Sequence, residues 1–152
     1  MCGTMTVIMS RIRIELPESF AFATELPVRI TDINYGGHMG NDAVLSLLHE
    51  ARVRFLQHHG FGGEADIDGT GMLMVDVSIV YKREMFHGDT LRVEVGVTEL
   101  GRAGCDIVYR VTRVGDAVVT AEAKTGMAFF DYRARKLQRT PERFAAVFGG
   151  KK

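Results

Sequence analysis

The sequence predicts an α+β fold in which an antiparallel sheet of long strands wraps around one long helix. Three observations carry this. The elements run strand, helix, then four consecutive strand-like segments, an order that favours an antiparallel sheet over a doubly wound one. The four segments alternate apolar and polar residues with period two. The helix is apolar over much more than one stripe, as a helix enclosed by a sheet would be.

Phe20 to Thr31, FAFATELPVRIT, reads as the first strand, and Pro27 assigns it to a sheet edge or a bulge because proline has no N–H to donate. The helix follows in DAVLSLLHEARVRFLQHHG. Val44, Leu47, Leu48, Ala51 and Phe55 repeat at helical spacing, while Leu45, Val53 and Leu56 widen the apolar face. Asn41 is the expected N-cap, Asp42 suits the positive end of the helix dipole, and Gly60 is the expected stop.

After a glycine-rich loop, Gly60 to Gly71, MLMVDVSIVYKREM places Leu73, Val75, Val77, Ile79 and Tyr81 on one face. TLRVEVGVTEL does the same for Leu91, Val93, Val95 and Val97. GCDIVYRVTRV and AVVTAEAKTGMAFFDY continue the pattern, joined by a tight hairpin at Val114-Gly115-Asp116. The sheet therefore has five strands. PERFAAVF predicts a short C-terminal helix, about 141–148, with Pro141 in its first turn. No repeat or linker interrupts the chain, so residues 1–152 are expected to form one domain with its core at about 20–132.

Nineteen Lys and Arg balance nineteen Asp and Glu, which gives no bulk attraction for nucleic acid or an anionic membrane. Neither a signal peptide nor a run long enough to span a bilayer is present, and Cys2 and Cys105 form no disulfide framework. A cytoplasmic location is expected. His49, His58 and His59 make no compact ligand set, so no metal is expected. Cys105 lies within a strand pattern and reads as a small core residue.

The chemistry concentrates in DINYGGHMGND, Asp32 to Asp42. Glycines before a helix let a ligand approach the backbone closely, and the free N–H groups of a first helical turn can hold a developing oxyanion. Asp32, Asn34, His38 and Asp42 surround that spot with the groups that activate water against a polarised carbonyl. Asn34 orients or donates rather than acting as a base, because an amide takes up no proton at neutral pH. Asp42 reads as a dipole partner.

This stretch resembles the hotdog-fold thioesterases, in particular the 4-hydroxybenzoyl-CoA thioesterase-like branch. That family carries D-x-D-x-x-G-H-V-N-N before a helix containing F-E-E-A-R. Here the motif is Asp32-Ile33-Asn34-Tyr35-Gly36-Gly37-His38-Met39-Gly40-Asn41, with Leu48-His49-Glu50-Ala51-Arg52 in the helix. Tyr81-Lys82-Arg83 and Phe86-His87-Gly88-Asp89-Thr90-Leu91 look like the family's later strand and its GD-x-L turn, so the likeness spans about residues 24–131. Asn34 stands where the benzoyl-CoA enzymes have their catalytic acid. The motif is also similar to the D-x-N-x-H-V-N-N of plant acyl-carrier-protein thioesterases, with two more residues before His38.

The resemblance implies a hotdog fold and hydrolysis of an acyl thioester, acyl-CoA or an acyl carrier protein, by a dimer or dimer of dimers with sites between subunits. It implies Asp32 or His38 as the base, Asn34 as orienter, and Glu50, including Glu50 of a neighbouring subunit, as the alternative base. Gly37, Met39, Gly40 and Asn41 would receive the thioester. Lys82 and Arg83, with Arg133, Arg135 and Lys136, read as a solvated strand end or, alternatively, as contacts for coenzyme A phosphates. Coenzyme A is then product rather than bound cofactor. A non-catalytic acyl-CoA binder is the alternative. The hydratases of the same fold carry H-x-x-x-F-P-G or D-x-x-x-x-H elements that this sequence lacks.

Overall fold

The computed structural model describes residues 10–149. Cys2 and the N-terminal stretch read for a signal peptide lie outside the described residues. The elements are β1 (Phe22–Pro27), α1 (Asn41–His58), β2 (Gly71–Tyr81), β3 (Thr90–Thr98), β4 (Gly104–Arg113), β5 (Val118–Asp131), β6 (Lys136–Leu137) and α2 (Glu142–Phe148). All pairings are antiparallel, in the order β1-β3-β4-β5-β2, with β6 added beside β5.

Alternation dictates the core. On β3, Leu91, Val93 and Val95 are buried at 0–1% exposure, and they meet Val44, Leu48, Ala51 and Phe55 of α1 in a single cluster with Ile107, Tyr109 and Phe129. Each full burial of such an aliphatic side chain is worth about 1.5–3 kcal/mol. The period-two segments therefore fold over the helix because that is where their inner faces leave water. The hotdog architecture expected from the motifs is the one observed.

Several boundaries differ. The first strand stops at Pro27, and Ile30–Asp32 form a 3-10 turn instead of further strand. Pro27 does lie on an edge strand, as its missing donor requires. On β2 the face expected to be buried is partly exposed, with Val75 at 59% and Val77 at 40%. A register shift between Met74 and Asp76 breaks the alternation, and β2 is the other edge of the sheet. The sheet has six strands rather than five because Phe130 and Asp131 pair with Leu137 and Lys136. The β4–β5 connection is a four-residue turn, Val114 to Ala117, in which Ala117 rather than Gly115 takes positive φ.

Gly40, not Asn41, is the N-cap of α1, and no side chain caps the helix. Gly60 ends it as expected. With φ +87° it lets the Gly60 N–H reach the Gln57 carbonyl (3.0 Å) and the Phe61 N–H reach the Leu56 carbonyl (3.0 Å), the Schellman arrangement. The C-terminal helix forms where predicted, with Pro141 as its N-cap and Phe144 buried.

Candidate active site

The polar stretch is a small, internally bonded loop. Ile33 and Met39 bridge antiparallel; the Asn34 N–H donates to the His38 carbonyl (3.0 Å), and the Gly40 N–H donates to the Asp32 carbonyl (2.9 Å). Gly37 sits at φ +84°, where a Cβ would be strained, and its N–H donates to the Asn34 carbonyl (3.1 Å). The Asn34 side-chain oxygen accepts the Gly36 N–H (2.8 Å), an Asx turn that aims the amide group.

Arg29 clasps Asp32. The backbone N–H donates to one carboxylate oxygen (2.8 Å), and Nη2 lies 3.2 Å from the other. The Asp32 side chain is only 9% exposed. Burial would raise its pKa, but the Arg29 hydrogen bonds and charge outweigh that and hold the carboxyl below the usual carboxylate range. Both oxygens are engaged and the group is a weak base.

His38 is better placed for proton transfer. Its Nδ1–H donates to the Met39 carbonyl (3.2 Å), so in the neutral ring Nε2 carries the lone pair. Nε2 lies 3.7 Å from Glu84 Oε2. A Cβ on Gly36 would sit 3.2 Å from His38 Nε2 and 3.3 Å from Asn34 Oδ1. Any side chain there would crowd both polar groups.

At the start of α1 the Ala43 and Val44 amides donate to the Gly40 carbonyl, whereas the Asn41 and Asp42 amides find no acceptor among the described residues. Asn41 and Asp42 also line a groove of about 330 Å³, together with Leu45, Val77, Ile79 and Tyr81. The Tyr81 hydroxyl donates to the Asn41 carbonyl (3.1 Å). Burial, and then the nearby Asp42 charge, raise the Tyr81 pKa and keep it a donor.

A second cavity of about 290 Å³ lies on the β1 flank of α1, with Asp32, Ser46 and Glu50 on walls formed by Leu26, Pro27 and Leu47. Glu50 Oε2 accepts from Arg54 Nε (2.9 Å), and Arg54 is held in turn by Thr24 Oγ1 (2.9 Å) and the Glu25 carbonyl (3.2 Å). Arg54 is thus the partner of Glu50. The candidate residues divide: Asp32 and Glu50 share this cavity, Asn41 lines the other groove, and Asn34 and His38 lie together beside Gly36.

The remaining candidates separate further. Met39 is a core residue, 3% exposed. Lys82 pairs with Glu122 (3.7 Å), while the Arg83 guanidinium donates only to the Lys82 carbonyl (3.4 Å) and has no acidic partner among the described residues. Cys105 is buried, and its thiol is pushed up to about 12 by burial and then by Asp106. Among the described residues, no group of three or more His, Cys, Asp or Glu is arranged to hold a metal ion, and no helix is long and apolar enough to cross a membrane.

Two side chains make contacts that the sequence did not single out. Tyr81 was one more member of an alternating strand and the first residue of the Tyr81-Lys82-Arg83 likeness. Arg52, from the E-A-R helix, is 3% exposed and binds Glu64 and the Tyr109 hydroxyl (2.9 Å), which contacts Thr125 Oγ1 (2.8 Å). Nothing in its spacing distinguishes a buried arginine from a solvated one.

Comparison with known proteins agrees with this fold. A 1,4-dihydroxy-2-naphthoyl-CoA thioesterase from Synechocystis superposes with a TM-score of 0.75 at 20% identity, covering 85% of this chain and 96% of that one. A hypothetical protein from Thermus thermophilus gives 0.74 at 24% identity, covering 84% and 96%. A DHNA-CoA thioesterase from Staphylococcus aureus gives 0.73 at 18% identity, covering 82% and 84%. At these identities the likeness establishes the fold. Among proteins of curated function, none matches the sequence significantly. The family model of the thioesterase-like superfamily matches residues 28–148, from the end of β1 to the end of α2, and the chain belongs to that superfamily.

Proposed function

We propose that the protein hydrolyses acyl-CoA thioesters at the N-terminus of α1. The observation that carries this reading is the pair of unsatisfied amides, Asn41 and Asp42, at a helix start bordering an apolar groove, next to a loop whose His38 turns Nε2 toward Glu84. The thioester oxygen sits on the two amides, where the helix dipole and the N–H groups stabilise developing negative charge. The acyl group lies along Leu45, Val77 and Ile79. Water attacks the carbonyl carbon as His38 Nε2 takes its proton, and Asn34 orients that water. The tetrahedral intermediate then expels the thiolate. His38 returns the proton to sulfur, leaving a free acid and coenzyme A, a product rather than a cofactor. Arg83 and Lys82, just beyond β2, are placed for phosphate contacts.

Asp32 holds the loop in shape rather than acting as the base, because Arg29 occupies both its oxygens. A second reading gives the base to Glu50, whose Oε1 has no partner among the described residues within the 290 Å³ cavity. Glu50 lies eight residues beyond Asp42, about 12 Å along the helix. It would therefore serve an acyl group held by the amides of a neighbouring subunit. A homodimer or dimer of dimers formed along the unpaired β2 edge supplies such a neighbour and covers Val75 and Val77. The buried, unpaired Cys105 thiol supports a reducing, cytoplasmic location.

The test is thiol release from short, long and aromatic acyl-CoAs. Loss of about a hundredfold or more in His38→Ala supports the loop base, in keeping with the usual contribution of a general base. A dead Glu50→Ala beside an active His38→Ala moves the base to the helix. Binding without release by the wild type makes the protein an acyl-CoA binder.

A further inference from the structure

Tyr81 closes β2 and is fixed from two sides. It pairs with Ala121 of β5, and the next two amides, Lys82 and Arg83, both donate to the Thr120 carbonyl (2.8 and 3.1 Å). Its hydroxyl therefore approaches α1 from the sheet, and among the described residues the one atom it meets at hydrogen-bond distance is the Asn41 carbonyl (3.1 Å). Tyr81 is 46% exposed, so this contact is no product of tight packing.

The Asn41 carbonyl and the Asp42 N–H belong to one peptide unit. That unit is planar, with the C=O and N–H directed oppositely, so an atom that fixes one fixes the other. A hydrogen bond accepted at the carbonyl also polarises the amide and makes its N–H a better donor. No side chain caps α1, and the Asn41 carbonyl, which takes the Leu45 amide in the helix's own i→i+4 pattern, has the Tyr81 hydroxyl as an added donor. We infer that Tyr81 is a positioning residue for the thioester site: its hydroxyl, anchored on β2, holds the Asn41–Asp42 peptide so that the Asp42 amide points at the thioester oxygen. The inference rests on the reading of that amide as an oxyanion donor. Tyr81 touches the peptide rather than the reacting atoms, and the edge strand thereby controls the geometry of a donor on the helix.

Tyr81→Phe removes the hydroxyl and keeps the ring. A single hydrogen bond of ordinary net strength predicts a fall in kcat of about five- to tenfold. KM should stay within about twofold, and Tm should barely move, because the hydroxyl is at the surface. The second readout is the infrared carbonyl stretch of a bound ¹³C-labelled ketone analogue of the best acyl-CoA substrate, with methylene in place of sulfur. In the wild type the stretch lies below its value in water, and in Tyr81→Phe it moves back toward that value.

Equal kcat and an equal stretch in the two proteins overturn the inference while leaving thioester hydrolysis intact. So does a lower kcat with an unchanged stretch, since the hydroxyl would then act by another route. A wild type that releases no thiol from any acyl-CoA overturns the reading of the site, and the role of Tyr81 with it.

Discussion

Arg52 offers the sharpest test of what holds the helix inside the sheet. Burial pulls its pKa down, but Tyr109 and Glu64 more than compensate, so a charged guanidinium sits in the core at 3% exposure. Arg52→Met keeps the length of the side chain and removes the charge. Glu64 then loses its main partner, retaining only His49 at 3.5 Å, while Tyr109 keeps Thr125. Removing one member of a fully buried pair costs about 3–5 kcal/mol. The Glu64 side chain is 21% exposed, and water can solvate part of the stranded carboxylate, which points to the low end, about 3 kcal/mol. For a chain of this length each kcal/mol moves Tm by about 2–4 °C, giving a fall of about 6–12 °C. Thermal unfolding followed by circular dichroism measures it directly. Arg52→Met with Glu64→Leu should recover part of the loss, because no unpaired charge remains. A single variant melting within about 2 °C of the wild type, or a double variant showing the sum of the two losses, refutes the reasoning.

Two further predictions concern titrating groups. The folded pKa of Asp32 is depressed, so its clasp with Arg29 contributes stability above the unfolded value near 4 and loses it as pH falls through the folded value. The Tm difference between wild type and Asp32→Asn should therefore be constant from pH 8 to about 5 and shrink below about pH 4; a difference that widens on acidification contradicts the assignment. The Cys105 thiol, pushed up to about 12, should resist iodoacetamide in the native protein at pH 7.5 and react once guanidinium unfolds the chain. Peptide mapping that finds Cys105 alkylated within minutes under native conditions would show that the core opens there.

What could be read from the sequence follows from how local each determinant is. Leu91, Val93 and Val95 announced their strand because every second side chain meets the helix, and Val44 to Phe55 announced the helix for the reciprocal reason. The same logic misread β2, since its register slips beside Val75 and its edge position leaves that residue in water. β6 has two residues, too few to display a period. At the site, the Gly-Gly turn and the place where the helix begins were visible in the spacing from Asp32 to Asn41, but its bare start was not, since Asn41 was expected to cap it. The fate of the carboxylates was not. Asp32 is neutralised by an arginine three residues earlier only because a 3-10 turn replaces the strand there, and it shares a cavity with Glu50 only because that turn returns the chain along α1.

The strand order also governs how the chain can be assembled during synthesis. β1 and β2 emerge first, yet they are destined for opposite edges: Leu26 waits for Leu91, and Tyr81 waits for Ala121. Until the β3–β5 segments leave the ribosome, α1 has almost nothing to bury its apolar face against, and the bulged β2 strand has no partner for its backbone. The sheet can close only from its middle outward, after most of the chain has been made. Folding of this kind is slow for its size, because distant contacts must form before nearby ones are rewarded. It leaves the newborn helix dependent on strands encoded far downstream.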